Sequence, residues 1–366
     1  MELIRPDINI DFVGKRNYAY LLSLILIILS LVGLVWRGDA LYGVDFAGGT
    51  VVQVSFAQPT DAGKIREGLK EVGLDRSAIQ KFGAEGENNY LIRTDLSGPE
   101  LGNLQDRARE SLERVYGKGG VTVERVEMVG PSVGHDLRQK ALLAVFYATL
   151  FITVYISGRF ELKWLPPVIM TGALILGVYT LRVLGMNIPM LILSALLIAT
   201  ALCWVLKLKY ALGAIVATIH DVIITAGAVA LTGKEFDLTV VAAILTITGY
   251  SLNDTITIFD RIRENVRKVR RQDFAELVNT SINQTLSRTL LTGTCSLATI
   301  LALFFLGGAV IHDFAYTLMV GILVGTYSSA LVASPVLIEW ETRFGKIRAM
   351  PAKKQGNTQG LKVKKT

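Results

Sequence analysis

Apolar residues gather into eight long runs, at about 18–36, 140–157, 165–183, 188–206, 210–231, 239–257, 289–306 and 313–337. Each approaches the ~20 residues that carry a helix across a hydrocarbon core, so the pattern predicts a polytopic α-helical membrane protein with eight spans. The first run, Tyr18 to Trp36, is longer than a signal-peptide core and leads into Trp36-Arg37-Gly38-Asp39 without a small-x-small cleavage site. It reads as an uncleaved anchor.

One long polar region, 38–138, interrupts the runs, and its periodicity alternates. VVQVSF at 51–56 predicts a strand, and Asp61 is placed to cap a helix that sets Ile65, Leu69 and Val72 on one side. AIQKF and NYLIRTDL predict two further strands. After Pro99, the residues Leu101, Leu104, Ala108, Leu112 and Val115 predict a second amphipathic helix, and VTVERVEMV a last strand. The order βαββαβ predicts a small α+β ferredoxin-like domain outside the membrane. At its two ends stand GVDFAGG (Gly43, Asp45, Phe46, Gly48, Gly49) and GPSVG (Gly130, Pro131). No Lys-Ser/Thr pair follows the glycines and no helix pattern opens there, so a stiff joint between domain and membrane is favoured over a phosphate-cradling loop.

Polar groups interrupt three of the apolar runs at helical spacing. Along 239–265, Thr246, Tyr250, Asp254, Thr257 and Arg261 recur every three or four residues, with Asn253 beside them. A carboxylate in hydrocarbon costs roughly 2.5–3.5 kcal/mol on insertion scales, so Asp254 is expected to face a protein interior or a water-filled path. Thr218, Asp221, Thr225 and Thr232 share a face in 210–231, with His220 adjoining. There Asp221 reads as functional and His220 as a hydrogen-bonded packing residue. In 287–299, Arg288, Thr292, Cys295 and Thr299 align. Arg288 can snorkel to the surface, but the stripe on the neighbouring helix favours pairing with Asp254. Ahead of it, Phe274, Leu277, Val278, Ile282 and Leu286 predict a separate amphipathic helix lying at the membrane interface.

Composition changes this picture little. The chain has 366 residues, 51% of them hydrophobic, and a net charge of +7. The charge could suggest nucleic acid, but the basic residues sit beside the apolar runs and no nucleic-acid motif occurs. Arg5, Lys15 and Arg16 precede the first span, seven Lys and Arg lie in 258–288 and eight follow 337, whereas the short outer loops hold only Arg182 and Lys234. By the positive-inside rule both termini are then cytoplasmic and the polar domain is extracytoplasmic. Cys203 and Cys295 lie in apolar runs with no Cys/His cluster near them, so no metal is expected. No nucleotide site or catalytic constellation appears. The chain reads as a non-enzymatic, ion-driven transporter without a cofactor, H⁺ or Na⁺ being the coupling ion. The segment after Trp340, with PAKKQGNTQGLKVKKT, reads as a disordered basic tail.

Several stretches carry a resemblance. GYSLNDTITIFDRIREN at 249–265, GVDFAGGT at 43–50, VGPSVG at 129–134, ALGAIVATIHDVIIT at 211–225 and SRTLLTGTCSL at 287–297 together resemble the SecF family of bacterial protein-export membrane subunits, part of the wider resistance-nodulation-division superfamily. The resemblance implies residence in the cytoplasmic (inner) membrane, pairing with a SecD half, action beside the SecYEG channel on a translocating unfolded polypeptide, and YajC as a further candidate subunit. It also implies that Asp254 and Arg288 match the family's essential polar residues and Asp221 its HD run. A small-molecule efflux pump of the same superfamily is the rival reading, and a scaffold without ion movement a third.

One region departs from the family pattern. Such a chain is expected to pass from RFELKW directly into ALGAIVATIHDV, giving six helices, whereas here about 165–208 interpose a hairpin, eight helices in all. At an offset of 46, Trp164 aligns with Tyr210 and Ile175 with Asp221; at 48, Leu206 aligns with Asp254. The hairpin therefore reads as a degenerate tandem copy that kept its span and lost both carboxylates. Such a copy is expected at the lipid-facing edge.

Overall fold

The computed structural model describes residues 8–74, 77–82, 88–94, 104–161, 165–186, 188–268 and 273–344. Pro99, Leu101, Trp164 and the basic tail from 345 onward lie outside the described residues.

α1 (Arg16–Arg37) leads through a short 3₁₀ turn into α2 (Val44–Ala47) and then a four-stranded sheet. Its strands are β1 (Gly49–Phe56), β2 (Ala78–Phe82), β3 (Asn89–Thr94) and β4 (Val121–Val129), in the order β2-β3-β1-β4 and antiparallel throughout. Alternation selects one face: Val52, Val54 and Phe56 of β1 and Tyr90 and Ile92 of β3 turn the same way. That face is covered by α3 (Ala62–Gly68) and α4 (Leu104–Tyr116), which contribute Ile65, Ala108 and Leu112. Asp61 accepts from the N–H groups of Gly63 and Lys64, at 2.8 and 3.0 Å, and so satisfies the first turn of α3. Val115 departs from expectation: it is 55% exposed, because it lies beyond the strip of α4 that the sheet covers.

The rest is helical: α5 (Pro131–Glu161), α6 (Leu165–Val183), α7 (Ile188–Val205), α8 (Lys209–Leu231), α9 (Leu238–Lys268), α10 (Phe274–Leu306), α11 (Gly308–Ser328) and α12 (Ser334–Phe344). A π-helical turn, Ser329–Ala333, joins the last two. Among the described residues six helical stretches, Arg16–Leu41, Pro131–Phe160, Leu165–Val183, Lys209–Leu231, Phe274–Leu306 and Ile311–Phe344, are long and apolar enough to cross a membrane. Met190–Val205 is a shorter apolar helix.

α8 lies at the centre, packed by α1, α5, α9 and α11, with α7 and α12 touching it further along. The inserted hairpin packs α6 on α7 and α5, and α7 on α5 and α8. Leu165, Val168, Ile175, Leu176, Tyr179 and Leu197 are exposed on its outer side. It is not wedged between α8 and α10.

Helices outrun their apolar runs. α5 starts at Pro131, so it takes in residues that the sequence assigns to the polar domain. The predicted interface helix is not separate: residues 274–306 form one continuous helix. Nothing between Leu286 and Thr289 breaks the α conformation, and Leu277, Val278 and Ile282 are buried in the main core with Ile258, Phe259 and Ile262 rather than facing lipid. The start of α10 is tied to the N-terminal segment, where Asn283 receives the N–H of Ile10 at 2.8 Å and donates to its carbonyl at 2.9 Å.

Candidate functional site

Where α1, α8, α9 and α11 converge, the buried side chains become small and polar. Asp221, on the inner face of α8, is 1% exposed. Its Oδ2 accepts from the hydroxyls of Ser251 on α9, at 2.5 Å, and Ser328 on α11, at 2.9 Å. Its Oδ1 lies 2.9 Å from His220 Nδ1. With Asp221 ionised, that nitrogen carries the proton and donates, which leaves Nε2 to accept from Ser23 of α1 or Tyr327 of α11, at 3.0 and 2.9 Å. Thr255 and Ser329 extend the network through a 2.8 Å contact between their hydroxyls, and the Ser334 hydroxyl bonds the Ser329 carbonyl at 2.9 Å across the π turn. Close helix approach makes this possible. A Cβ built on Gly325 would stand 2.7 Å from Ser251 Cβ, so only glycine lets α11 meet α9 there.

Asp254 has a different setting. It is 3% exposed, on the same face of α9 as Ser251 and one turn further along, and its Oδ2 has no hydrogen-bond partner among the described residues. At 1.5 Å per residue it lies about 24 Å along α9 from Leu238. Arg288 is the charge whose field reaches it, yet no ion pair joins the two within 4.0 Å. Arg288 lies exposed on α10, as do Thr294, Cys295 and Thr299. The structure thus turns the stripe of α10 mostly outward and that of α8 inward at Thr218, Asp221 and Thr225, while of the α9 stripe only Asp254 is fully buried.

The other residues singled out by sequence divide likewise. Thr218 and Thr225 are buried beside Asp221, and the Thr225 hydroxyl is unpartnered among the described residues. Tyr250 is half-buried and its hydroxyl is also unpartnered. Asn253 and Thr246 are exposed. Thr257 and Thr292 bond back to their own helices, at the carbonyls of Asn253 and Arg288. Sequence reasoning missed Ser23, Ser251, Tyr327 and Ser328. A signal existed: the small residues Ala19, Ser23, Ser30 and Gly33 mark one face of α1, and Tyr-Ser-Ser at 327–329 sits inside an apolar run.

The glycine-rich motifs meet at the sheet end. Gly48 has φ 78°, and a Cβ there would come 2.7 Å from Pro131 Cα, so α2 and the start of α5 touch backbone to backbone. Gly49, at φ 116°, opens β1, while Gly130 has open space around it. Phe46 is buried against Tyr42. Gly43 N–H donates to the Phe236 carbonyl at 2.7 Å, and Asp45 Oδ2 accepts from Leu238 N–H at 2.9 Å. Arg93 of β3 clamps the same α8–α9 turn through Glu235 at 2.7 Å, and Lys234 pairs with Asp313. A cavity of about 410 Å³ lies between this turn and the sheet, lined by charges of both signs including Lys81, Arg125, Glu127 and Asp237. Burial pushes the carboxyls of Glu235 and Asp237 above the usual carboxylate range; Arg93 and Arg37 oppose this at Glu235. Among the described residues no cluster of three or more His, Cys, Asp or Glu could hold a metal ion.

Comparison with known proteins agrees with this arrangement. The family described as "Protein export membrane protein SecD/SecF, C-terminal" matches twice, over residues 109–200 and 182–343. The "SecD/SecF GG Motif" matches residues 42–60. The chain is 39% identical to the protein translocase subunit SecF of Calditerrivibrio nitroreducens, over 91% of this chain and 95% of that protein. It is 39% identical to the SecF of Magnetococcus marinus, over 92% and 94%. Among solved structures, the crystal structure of SecDF, a translocon-associated membrane protein from Thermus thermophilus, superposes with a TM-score of 0.68 at 32% identity, covering 93% of this chain and 40% of that one. SecDF in a super-membrane-facing form gives 0.56, at 32% identity over 94% and 40%.

Proposed function

The chain belongs to the SecF family of protein-export membrane proteins, and on that premise we propose that it is an accessory subunit of the Sec translocase that uses an ion gradient to promote export. The observation that carries the reading is Asp254: a carboxylate buried between apolar helices, with one oxygen lacking a donor among the described residues. Such a group is costly when charged and loses no hydrogen bond when protonated, so taking up and releasing H⁺ alters the packing around it. Na⁺ could substitute through the same carboxylate. Arg288, near enough to be felt and not bonded, is free to approach when Asp254 is charged.

A SecD half is the natural partner. Asn253 on α9 and Arg288 and Thr294 on α10 are exposed at positions where lipid would leave them unsatisfied, and a helical partner that covers them removes that cost. The SecDF chain is longer than this one, as the 40% coverage requires. We read all eight helices from α1 and α5 through α11–α12 as spans, α7 and α9 included, with both termini in the cytoplasm. The sheet domain is then extracytoplasmic, and its strand order with both helices on one face supports a ferredoxin-like assignment. The double match of the C-terminal family model supports a duplicated hairpin.

The test is Asp254→Asn in the full chain, reconstituted with SecD and SecYEG and supplied with a preprotein under an imposed ion gradient. Gradient-dependent stimulation is expected to vanish while insertion and partner binding persist. Stimulation at the wild-type level would refute an ion-coupling role for this residue.

A further inference from the structure

The two buried carboxylates, alike in sequence, differ in what surrounds them. Asp221 receives three hydrogen bonds, from His220 of its own helix, Ser251 of α9 and Ser328 of α11. His220 in turn reaches Ser23 of α1 and Tyr327 of α11. Four helices are thus tied to a single side chain that is 1% exposed. Taking up a proton at Asp221 must break or reverse one of these bonds. At Asp254, where Oδ2 has no donor among the described residues, it breaks none.

Ser251 links the two. It bonds Asp221 and stands three residues before Asp254 on the same face of α9, and it is held from behind by the backbone of Gly325. Rotating α9 so as to carry Asp254 out of the seam would draw Ser251 off Asp221. From this geometry we infer that Asp221 is a positioning residue for ion coupling: its carboxylate fixes the rotation of α9 against α8 and α11 and thereby holds Asp254 in the buried seam, and it is not itself a second ion carrier. The inference rests on the ion-coupling reading of Asp254.

Asparagine separates the roles. At position 221 its carbonyl oxygen can accept from Ser251 and Ser328. Its amide can donate to His220 Nδ1 once the imidazole proton sits on Nε2, where the oxygens of Tyr327 and Ser23 accept it. The ties survive and the titratable group is gone. Alanine removes both.

The experiment compares Asp221→Asn, Asp221→Ala, the double variant Ser251→Ala/Ser328→Ala and Asp254→Asn, each in the full chain with SecD and SecYEG in proteoliposomes. It reads gradient-driven export and, by infrared difference spectroscopy, the pH profile of the Asp254 carboxyl band. Asp221→Asn is expected to keep stimulation within about fivefold of wild type with the Asp254 band in place, because neutral hydrogen bonds replace charge-assisted ones. Asp221→Ala and the double serine variant are expected to lose most stimulation and to shift the Asp254 profile. If Asp221→Asn inserts normally yet is as inactive as Asp254→Asn, Asp221 is a carrier and the inference falls while the reading of Asp254 stands. If Asp254→Asn is active, that reading falls instead. An Asp221→Ala chain that fails to insert leaves the decision to Asp221→Asn and the serine variant, whose unshifted Asp254 profile would also overturn the proposal.

Discussion

Asp45, in the short helix that opens the sheet domain, accepts the backbone N–H of Leu238 at 2.9 Å and so caps the helix that carries Asp254. The cap and the buried Asp254 carboxylate lie at different heights along one helix. A residue of the glycine-rich joint is thereby connected, through about 24 Å of helix, to the polar seam.

Removing that cap is expected to weaken the joint. Asp45→Ala leaves the first N–H of α9 without this acceptor and should lower stability by about 1 kcal/mol, while Asp45→Asn, still an acceptor, should lose only a fraction of that. Thermal unfolding of the two variants in detergent measures the difference; equal melting would show that water replaces the carboxylate at no cost.

Asp237 gives a pH-dependent counterpart. It bonds the N–H of Val240 at 2.7 Å, but burial, with Asp45 and Asp313 nearby, raises its carboxyl above the usual range. The folded chain therefore holds its proton more tightly than the unfolded chain. That contribution to stability is fully present below about pH 4 and is lost as pH rises through the raised value. Asp237→Asn keeps the cap and cannot ionise, so its stability relative to wild type should increase between about pH 4 and pH 7. A melting difference that stays flat across that range would contradict the assignment.

Two glycines, one in α11 and one in α9, should respond oppositely. At Gly325 an added Cβ would sit 2.7 Å from Ser251 Cβ, whereas at Gly249, in α9, nothing lies within 4 Å. Gly325→Ala is expected to push α11 from α9 at a cost of roughly 1–3 kcal/mol, and Gly249→Ala to be neutral or stabilising by up to about 1 kcal/mol. Unfolding in detergent, read alongside export, distinguishes them.

Replacing 163–208 by a direct join of Leu162 to Lys209 should yield a chain that inserts with unchanged topology and retains measurable export, since the hairpin adds nothing polar to the seam. The contacts it forfeits are apolar, such as Trp204 against Trp340 and Phe344, each at 5.0 Å, and lipid can take their place. A well-inserted chain with no activity at all would assign the hairpin a part in the mechanism.

Sequence alone determined the membrane class, the alternation of strand and helix in the polar domain, and the burial of Asp221 and Asp254. These follow from local rules: an apolar run of span length has few alternatives in lipid, and a carboxylate at helical spacing among threonines must turn inward. It also singled out the two ends of the sheet domain, where Gly43, Gly48 and Pro131 stand, because glycine frees the backbone and proline fixes it. Which carboxylate would be satisfied was beyond it. Ser251 and Asp254 have the same spacing logic, and only the crossing of α8, α9 and α11 points Ser251 and Ser328 at Asp221 and, among the described residues, no donor at Asp254 Oδ2. The stripe of Arg288 likewise has a face but no direction until α10 is rotated against its neighbours. The continuity of α10 was hidden for the reverse reason: an amphipathic segment looks the same in sequence whether it lies on lipid or packs on Ile258 and Phe259. Periodicity fixes which residues share a side of a helix, and packing alone decides what that side meets.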